Sequence, residues 1–439
     1  MKNHTTTKMR RIIYILFSLL FSGISLAQNP TPAPAQSKRI LYIGGKAHVG
    51  NGAVIEQSAV AFTNGKFVFV QSSVGFKAAR EAYDTIINID GKHIYPGIIA
   101  MNSNIGLREM ELVRATNDYA EIGKINPSVR AVVAYNTDSK VIPTLRSNGV
   151  LMAQIAPEGG MVSGMSSVVQ LDAWNWEDAA YKIDEGMFMS WPSMRIFKGR
   201  TPAEEEEQRE RNEKQMRELE SLFRDAKAYS LQTSTNTVNQ HFEAMRGLFT
   251  GSRKLYIRTD YIREITAAVQ FCKLYGIKMV LVGGADSWKM TNLLKENNVP
   301  VIITRTQELP RREDDDVYLP YKLPALLYKA GVRFCITDNG YWQQRNIAFE
   351  AGTAVGFGLP YEEAIKAITQ APAEILGISS SCGTLEDSKD ATFIITSGDL
   401  LDMKSSVVEE AYIQGRKIDL DNIQHQLFLK YKNKYGITE

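Results

Sequence analysis

Histidine is scarce in this chain: 5 of 439 residues, at 4, 48, 93, 241 and 425. That scarcity limits any metal chemistry that depends on imidazole. Cysteine is scarcer still, with 3 residues at 272, 335 and 382, and an odd number at wide spacing is no disulfide framework. Cys272 and Cys335 lie in apolar runs and read as small buried hydrophobes. No C-x-x-C and no H-E-x-x-H occurs, which removes the dithiol and zinc-protease signatures. Charge of one sign is also missing: 51 Lys+Arg stand against 49 Asp+Glu, so no dedicated nucleic-acid surface is expected. With 44% hydrophobic and 23% charged residues, neither disorder nor a polytopic membrane protein fits the composition. Gly159-Gly160-Met161-Val162-Ser163-Gly164 has P-loop glycine spacing, but Met165 stands where the phosphate-binding Lys belongs. Gly164-Met165-Ser166-Ser167-Val168 lacks the second glycine of a nucleophile elbow.

What is present begins with a leader. Lys8, Arg10 and Arg11 precede an almost wholly apolar run over 12–20, and Ser25-Leu26-Ala27 supplies small residues at the positions a signal peptidase reads. Residues 1–27 therefore read as a signal peptide, with a retained membrane anchor as the alternative. The expectation is an exported chain, periplasmic or extracellular, with no membrane attachment after cleavage. Cleavage removes His4 and only cations, leaving His48, His93, His241 and His425. Residues 28–37 are a Pro/Ala-rich extended linker.

Residues 38–95 alternate short β-like runs with Gly/Asn turns, and a similar texture returns over 383–420. Two β-rich pieces flanking a long middle predict one composite β-sandwich built from the N- and C-terminal segments. The middle, 96–382, alternates strand candidates (150–156, 254–257, 278–282, 300–304, 333–337) with helical patterns (261–275, 287–296, 323–329). That is the α/β pattern of a (β/α)8 TIM barrel with insertions; a doubly wound open sheet is the alternative but leaves the β pieces unexplained. One insertion, about 200–230, is charge-rich. Thr201 is its cap, Pro202 its first residue, and Glu–Arg/Lys pairs at i,i+4 (205–209, 207–211, 210–214, 213–217) stand opposite a stripe of Met216, Leu219 and Phe223. It reads as a solvated surface helix or as a lid or partner helix. Residues 421–439 form a last helix, with Lys430, Lys432 and Lys434 at its C-terminal end. The acidic run 313–316 reads as a cation-binding loop or a solvated turn.

The Gly-rich stretch 158–167 follows a strand candidate. In a barrel that places it at the C-terminal face, where its backbone N–H groups are available to an anion; a plain connecting loop is the alternative. Tyr95-Pro96-Gly97-Ile98-Ile99-Ala100-Met101-Asn102-Ser103-Asn104 resembles the first barrel strand of the amidohydrolase superfamily, a Pro-Gly-apolar-apolar-Asp-x-His-x-His run. Glu363-Ala364-Ile365 through Thr369 and Ala371-Pro372-Ala373-Glu374-Ile375-Leu376-Gly377 resemble the helix pair that closes that barrel. Gly383-Thr384-Leu385-Glu386-Asp387-Ser388-Lys389-Asp390-Ala391 resembles the return into its sandwich. The order of the three marks is similar to that of imidazolonepropionase-like members, and the resemblance spans about residues 38–420.

The resemblance implies a hydrolase of cyclic amides or other C–N bonds that uses zinc or another divalent metal. Residue by residue, the ligands are replaced. Asn102 and Asn104 stand for the two histidines, Ala100 for the acid before them, and Arg258 lies at a strand end where a ligating histidine is expected. Gly283-Gly284 offers none at the next strand, and Asp338 alone matches the last-strand acid. Arginine stays protonated and cannot ligate a cation. No cofactor is therefore expected, and Arg258 is expected to pair with Asp338. Two functions follow. One is a C–N hydrolase with lost or altered chemistry, with Asp338 as the catalytic candidate and general base. The other is a non-catalytic relative that takes a small, anionic ligand or a partner protein. The substrate-binding candidates are Arg258, Asn102, Asn104, Gly159, Gly160 and Ser163. Oligomerisation stays open.

Overall fold

The computed structural model of the chain describes residues 31–199, 201–232 and 237–437. The chain divides into Met1–Pro32 and Ala33–Glu439. The expected signal peptide lies outside the described residues, and the fold below is that of the second unit.

The first strands make a four-stranded sheet in the order Lys66–Ser72, Ser58–Thr63, Ile40–Ile43, Thr85–Asn88. A six-stranded sheet mixes both ends of the chain: Arg416–Lys417, Val408–Ile413, Phe393–Thr396, His93–Pro96, Lys46–His48, Val54–Ile55. Its seam is the antiparallel pairing that sets Ile394 opposite Tyr95. Apolar side chains of both sheets share one cluster, including Tyr42, Val60 and Phe62 from the first and Ile94, Phe393 and Tyr412 from the second. Phe393 and Tyr412 stack with centroids 4.6 Å apart.

The middle of the chain forms a curled sheet of eight strands: Ile98–Ser103, Val150–Ile155, Val162–Gln170, Ala180–Ser190, Lys254–Thr259, Met279–Gly283, Val301–Ile303 and Phe334–Ile336. Val150–Ile155 is buried at every position, as a strand covered on both faces must be. The two edge strands meet through side chain and loop. Thr337 Oγ1 accepts from the Met101 N–H at 3.1 Å and donates to its carbonyl at 3.0 Å, and the Asn104 N–H reaches Gly340 O at 3.0 Å.

Strict βα alternation, expected from the sequence, is broken once. Val162–Gln170 runs antiparallel to both its neighbours. The turn over 156–161 is too short for a crossover helix, so the chain returns as a hairpin. After Lys254–Thr259 alternation is regular. Helix Ile262–Tyr275 buries Ile265, Ala268, Val269 and Cys272 and stops at Gly276 (φ +71°), a left-handed cap. Helix Leu319–Ala330 covers the next strands, followed by Ile347–Gly356, Tyr361–Ile368 and Gln370–Leu376. The three cysteines are free and buried, and burial pushes their thiols up.

The charge-rich insertion is the helix Pro202–Ser230, with Thr201 Oγ1 accepting from the Glu204 N–H at 3.3 Å. Of the expected ion pairs, Glu207–Arg211 (3.8 Å) and Glu213–Arg217 (3.3 Å) form, while Glu205 accepts from the Gly199 N–H instead. Its second half is not a solvated face. Leu219, Phe223 and Ala226 are fully buried, and Phe223 meets Phe271 edge-on at 5.0 Å. Among the described residues no helix is long and apolar enough to cross a membrane.

Candidate functional site

The C-terminal ends of the parallel strands open into a cavity of about 460 Å³. Its wall includes Asn102, Glu158, Gly159, Arg258, Asp260, Gly283, Arg311 and Asn339. Strand ends place these side chains: Asn102 and Arg258 are the next-to-last residues of the first and fifth strands of the curled sheet, Asp260 follows the fifth, and Gly283 ends the sixth.

Arg258 organises the site. Its Nη2 donates to Asn102 Oδ1 at 2.9 Å and to Pro157 O at 2.9 Å, its Nε donates to Asn102 Oδ1 at 3.3 Å, and its Nη1 reaches Ser163 Oγ at 3.4 Å. The guanidinium lies over the Phe188 ring, 4.6 Å from its centroid. Burial lowers its pKa to about 10, with Glu158 nearby opposing the shift, so it remains a cation at neutral pH. Asn102 sits in the left-handed region (φ +51°), which asparagine tolerates better than most residues, and its N–H donates to Gln154 Oε1 at 3.2 Å. Gln154 in turn donates to Glu185, a buried carboxyl that also accepts from Ser166 Oγ and the Tyr256 hydroxyl. Burial raises the pKa of Glu185 despite these donors. Asn102, at the cavity wall, is thus backed through its N–H by a polar network inside the sheet.

A second cation faces the same cavity. Arg311 Nη1 lies 2.7 Å from Asp260 Oδ2. Burial raises the pKa of Asp260, and Arg311 acts against that rise. Gly283 (φ +94°) allows the approach of this acid, since a Cβ there would stand 2.6 Å from Asp260 Oδ1.

Asp338 is not where the sequence put it. The expected Arg258–Asp338 pair is not formed; the cation beside Asp338 is Arg305, with its Nε 4.0 Å from Oδ1. Arg305 follows the strand Val301–Ile303, which adjoins Phe334–Ile336, whereas the strand bearing Arg258 is three places away in the sheet. Asp338 is 1% exposed, its Oδ1 accepts its neighbour's N–H (Asn339, 2.7 Å), and its Oδ2 has no hydrogen-bond partner. Burial, with Glu350 adding to it, pushes this carboxyl up to about 6. Asn339, rather than Asp338, lines the cavity.

Asn104 and Gly160 are placed outside that wall. Asn104 Nδ2 donates to Ala156 O at 3.0 Å and ties two strand ends together. Gly160 (φ +63°) packs against the loop 123–124, where a Cβ would meet Lys124 O at 2.8 Å. The amides of Glu158 and Met161 are taken by the Tyr119 and Lys124 carbonyls, which leaves less of an anion cradle than the glycines suggested. Glu158, Asp260, Arg305 and Arg311 were not singled out from the sequence. Glu158 carried a signal, since it opens the Gly-rich stretch, while a lone arginine in a loop carries none.

The histidines lie elsewhere. His48 Nδ1 contacts Glu362 Oε1 at 2.8 Å and its Nε2 contacts His93 Nδ1 at 3.1 Å, while His425 contacts Asp421. Among the described residues, no group of three or more His, Cys, Asp or Glu side chains is placed to hold a metal ion.

No family model matches the chain. The large chain of carbamoyl phosphate synthase from Clostridium botulinum is 23% identical over 193 residues, 44% of this chain and 16% of that protein. An amidohydrolase of Hapsidospora irregularis is 28% identical over 85 residues, 19% of this chain and 9% of its own. The chain thus spans less than a fifth of the length of these curated relatives. A solved amidohydrolase from Thermotoga maritima superposes with a TM-score of 0.74 at 23% identity, over 87% of this chain and 99% of that one. The fold of this chain is the fold of that solved amidohydrolase.

Proposed function

We propose that the chain is an exported protein on the amidohydrolase scaffold whose sheet mouth binds a small anionic ligand through Arg258. The observation that carries this is the guanidinium held by Asn102 Oδ1 and Pro157 O beside an open cavity. The side chains present do not suit a divalent cation of the family type. Asn102 directs its only acceptor oxygen to Arg258, and a guanidinium repels a cation instead of ligating it. A carboxylate suits the same place, since a charge-assisted bond to arginine is strong where water is partly excluded. In this reading the eight strands form the family's barrel and the two smaller sheets its composite sandwich, in the manner of the imidazolonepropionase-like members. The leader over 1–27 sends the chain out of the cytoplasm.

Calorimetry with N-acetyl amino acids and dipeptides as probes, beside metal analysis of the purified protein, tests the proposal. Saturable binding that weakens at least about tenfold in Arg258→Met is expected, since a hydrogen bond to a charged group contributes about 1.5–3 kcal/mol. Stoichiometric zinc, or metal-dependent turnover of cyclic amides or dipeptides, overturns it.

A second reading, hydrolysis of a C–N bond without the family metal, is favoured by Asp338. Its partnerless Oδ2 and pKa near 6 give it the proton affinity of a general base, and in this reading the loop after Phe334–Ile336 shifts to bring the buried carboxyl to the cavity. Its test is turnover of the same panel in the presence of a chelator, lost in Asp338→Asn.

A further inference from the structure

The C-terminal helix is largely uncovered. Ile423–Tyr435 contains no buried residue. Its first turn is fastened to the body: Thr144 Oγ1 donates to Gln424 Oε1 at 2.7 Å, and Asn422 Nδ2 donates to Ser147 Oγ at 3.0 Å. Beyond that turn the helix and the residue after its Gly436 cap present large apolar side chains to solvent, with Phe428 59%, Tyr435 67% and Ile437 60% exposed. At 100° per residue, Ile423, Leu427, Phe428, Tyr431 and Tyr435 fall on one arc. Four of these five, Leu427, Phe428, Tyr431 and Tyr435, line a shallow apolar depression with Ile437.

Lysines border this arc on both sides. Lys430 lies just outside one margin, Lys434 just inside it and Lys432 beyond the other, with Lys432 Nζ 5.9 Å from the Phe428 centroid and Lys434 Nζ 5.3 Å from that of Tyr435. No Asp or Glu occurs from residue 422 to residue 437. An apolar, aromatic-bearing face edged by cations and free of acids matches a surface that is negative above and apolar below. It is a poor match for its own copy, because two such faces bring like charges together. The helix is also too short to span a bilayer, since 13 residues rise only about 20 Å.

We propose that Ile423–Tyr435 docks the folded protein on an anionic phospholipid surface. The helix lies in the plane of the interface, with Leu427, Phe428, Tyr431 and Tyr435 entering the acyl boundary and the lysines meeting the headgroup phosphates. This departs from the expectation of no membrane contact after export. It is independent of the ligand at the sheet mouth.

Co-sedimentation of the exported protein with vesicles of phosphatidylcholine alone, and of phosphatidylcholine mixed with phosphatidylglycerol, tests it. At least about tenfold stronger binding to the anionic vesicles is expected, weakened by raised salt. Phe428→Ser with Tyr435→Ser, and separately Lys430→Gln with Lys432→Gln and Lys434→Gln, are expected to abolish that preference. All five side chains are on the surface, so an unchanged thermal transition verifies folding. No binding, equal binding to both vesicles, or binding unaffected by the variants overturns the proposal. So does a concentration-dependent dimer in sedimentation velocity that Phe428→Ser dissolves, which assigns the face to a second copy.

Discussion

At the scale of single residues the chemistry of the site turns on two charges kept in different company. Arg258 is a half-buried cation held by neutral acceptors, whereas Asp338 is a buried acid with one oxygen satisfied and its cation at 4.0 Å. A carboxyl pushed up to about 6 favours its neutral form in the fold. The folded state then holds a proton that the unfolded chain, with an ordinary carboxyl near 4, has released. Stability from this group is therefore fully present below about pH 4 and is lost as pH rises through about 6. Urea titrations across that window are expected to show a decline of up to about 3 kcal/mol with rising pH, superposed on the other groups. Asp338→Asn flattens this component; an unchanged slope in the variant shows that the carboxyl is solvated. That Asn102 and Arg258 stand at strand ends was accessible to sequence reasoning, because each falls at the end of a strand candidate. The partner of Asp338 was not, because it depends on which strand lies beside it. The loop arginine after the adjacent strand reaches the acid, and Arg258 turns to Asn102.

At the scale of elements the long helix Pro202–Ser230 separates what local sequence decides from what packing decides. Its start is local: Thr201 caps the Glu204 amide, and Thr201→Ala is expected to cost about 1 kcal/mol in chemical denaturation. Its ion pairs are exposed on both sides, so Glu213→Ala is expected to change stability by less than about 0.5 kcal/mol. Its second half is tertiary. Phe223, fully buried against Phe271, is expected to cost about 3–5 kcal/mol on replacement by alanine, with Tm read by calorimetry. The narrow stripe of Met216, Leu219 and Phe223 was visible as periodicity. The depth of its burial was not, since a three-residue stripe suits a solvated helix as well as a docked one. The hairpin return of Val162–Gln170 was not legible for another reason: all nine of its residues are buried, but Ser163, Gly164, Ser166 and Ser167 give its first half the composition of a loop.

At the scale of the whole molecule the two ends of the chain hold each other. Phe393–Thr396 lies between His93–Pro96 and Val408–Ile413, and Phe393 and Tyr412 fill the cluster that also contains Tyr42 and Phe62. Near the start of the described residues, the Ala33 N–H donates to Asp172 Oδ2 at 2.9 Å, and Arg416 bonds both Asp172 and the Ala33 carbonyl. Truncation after residue 391 removes a central strand of the six-stranded sheet and uncovers Ile94 and Tyr95. Loss of the cooperative transition and aggregation on expression are the expected outcomes, scored by soluble yield. A truncated chain that melts cooperatively shows that the first sheets fold without their C-terminal partners.

Sequence alone determined the alternation of strands and helices, the β texture at both ends, the cap of the long helix and the absence of imidazole from the strand ends of the long middle segment. Each of these depends on residue type at short spacing: periodicity, a capping oxygen beside an amide, a histidine present or missing. The tertiary structure decided the rest: the antiparallel strand, the burial of Phe223, the pairing of Asp338 with Arg305, and the cavity between Arg258 and Arg311. These depend on which strand ends become neighbours once the sheet curls, and distance along the chain does not encode that. The scarcity of histidine was a property of composition. That a guanidinium takes the central place at the sheet mouth was a property of the fold.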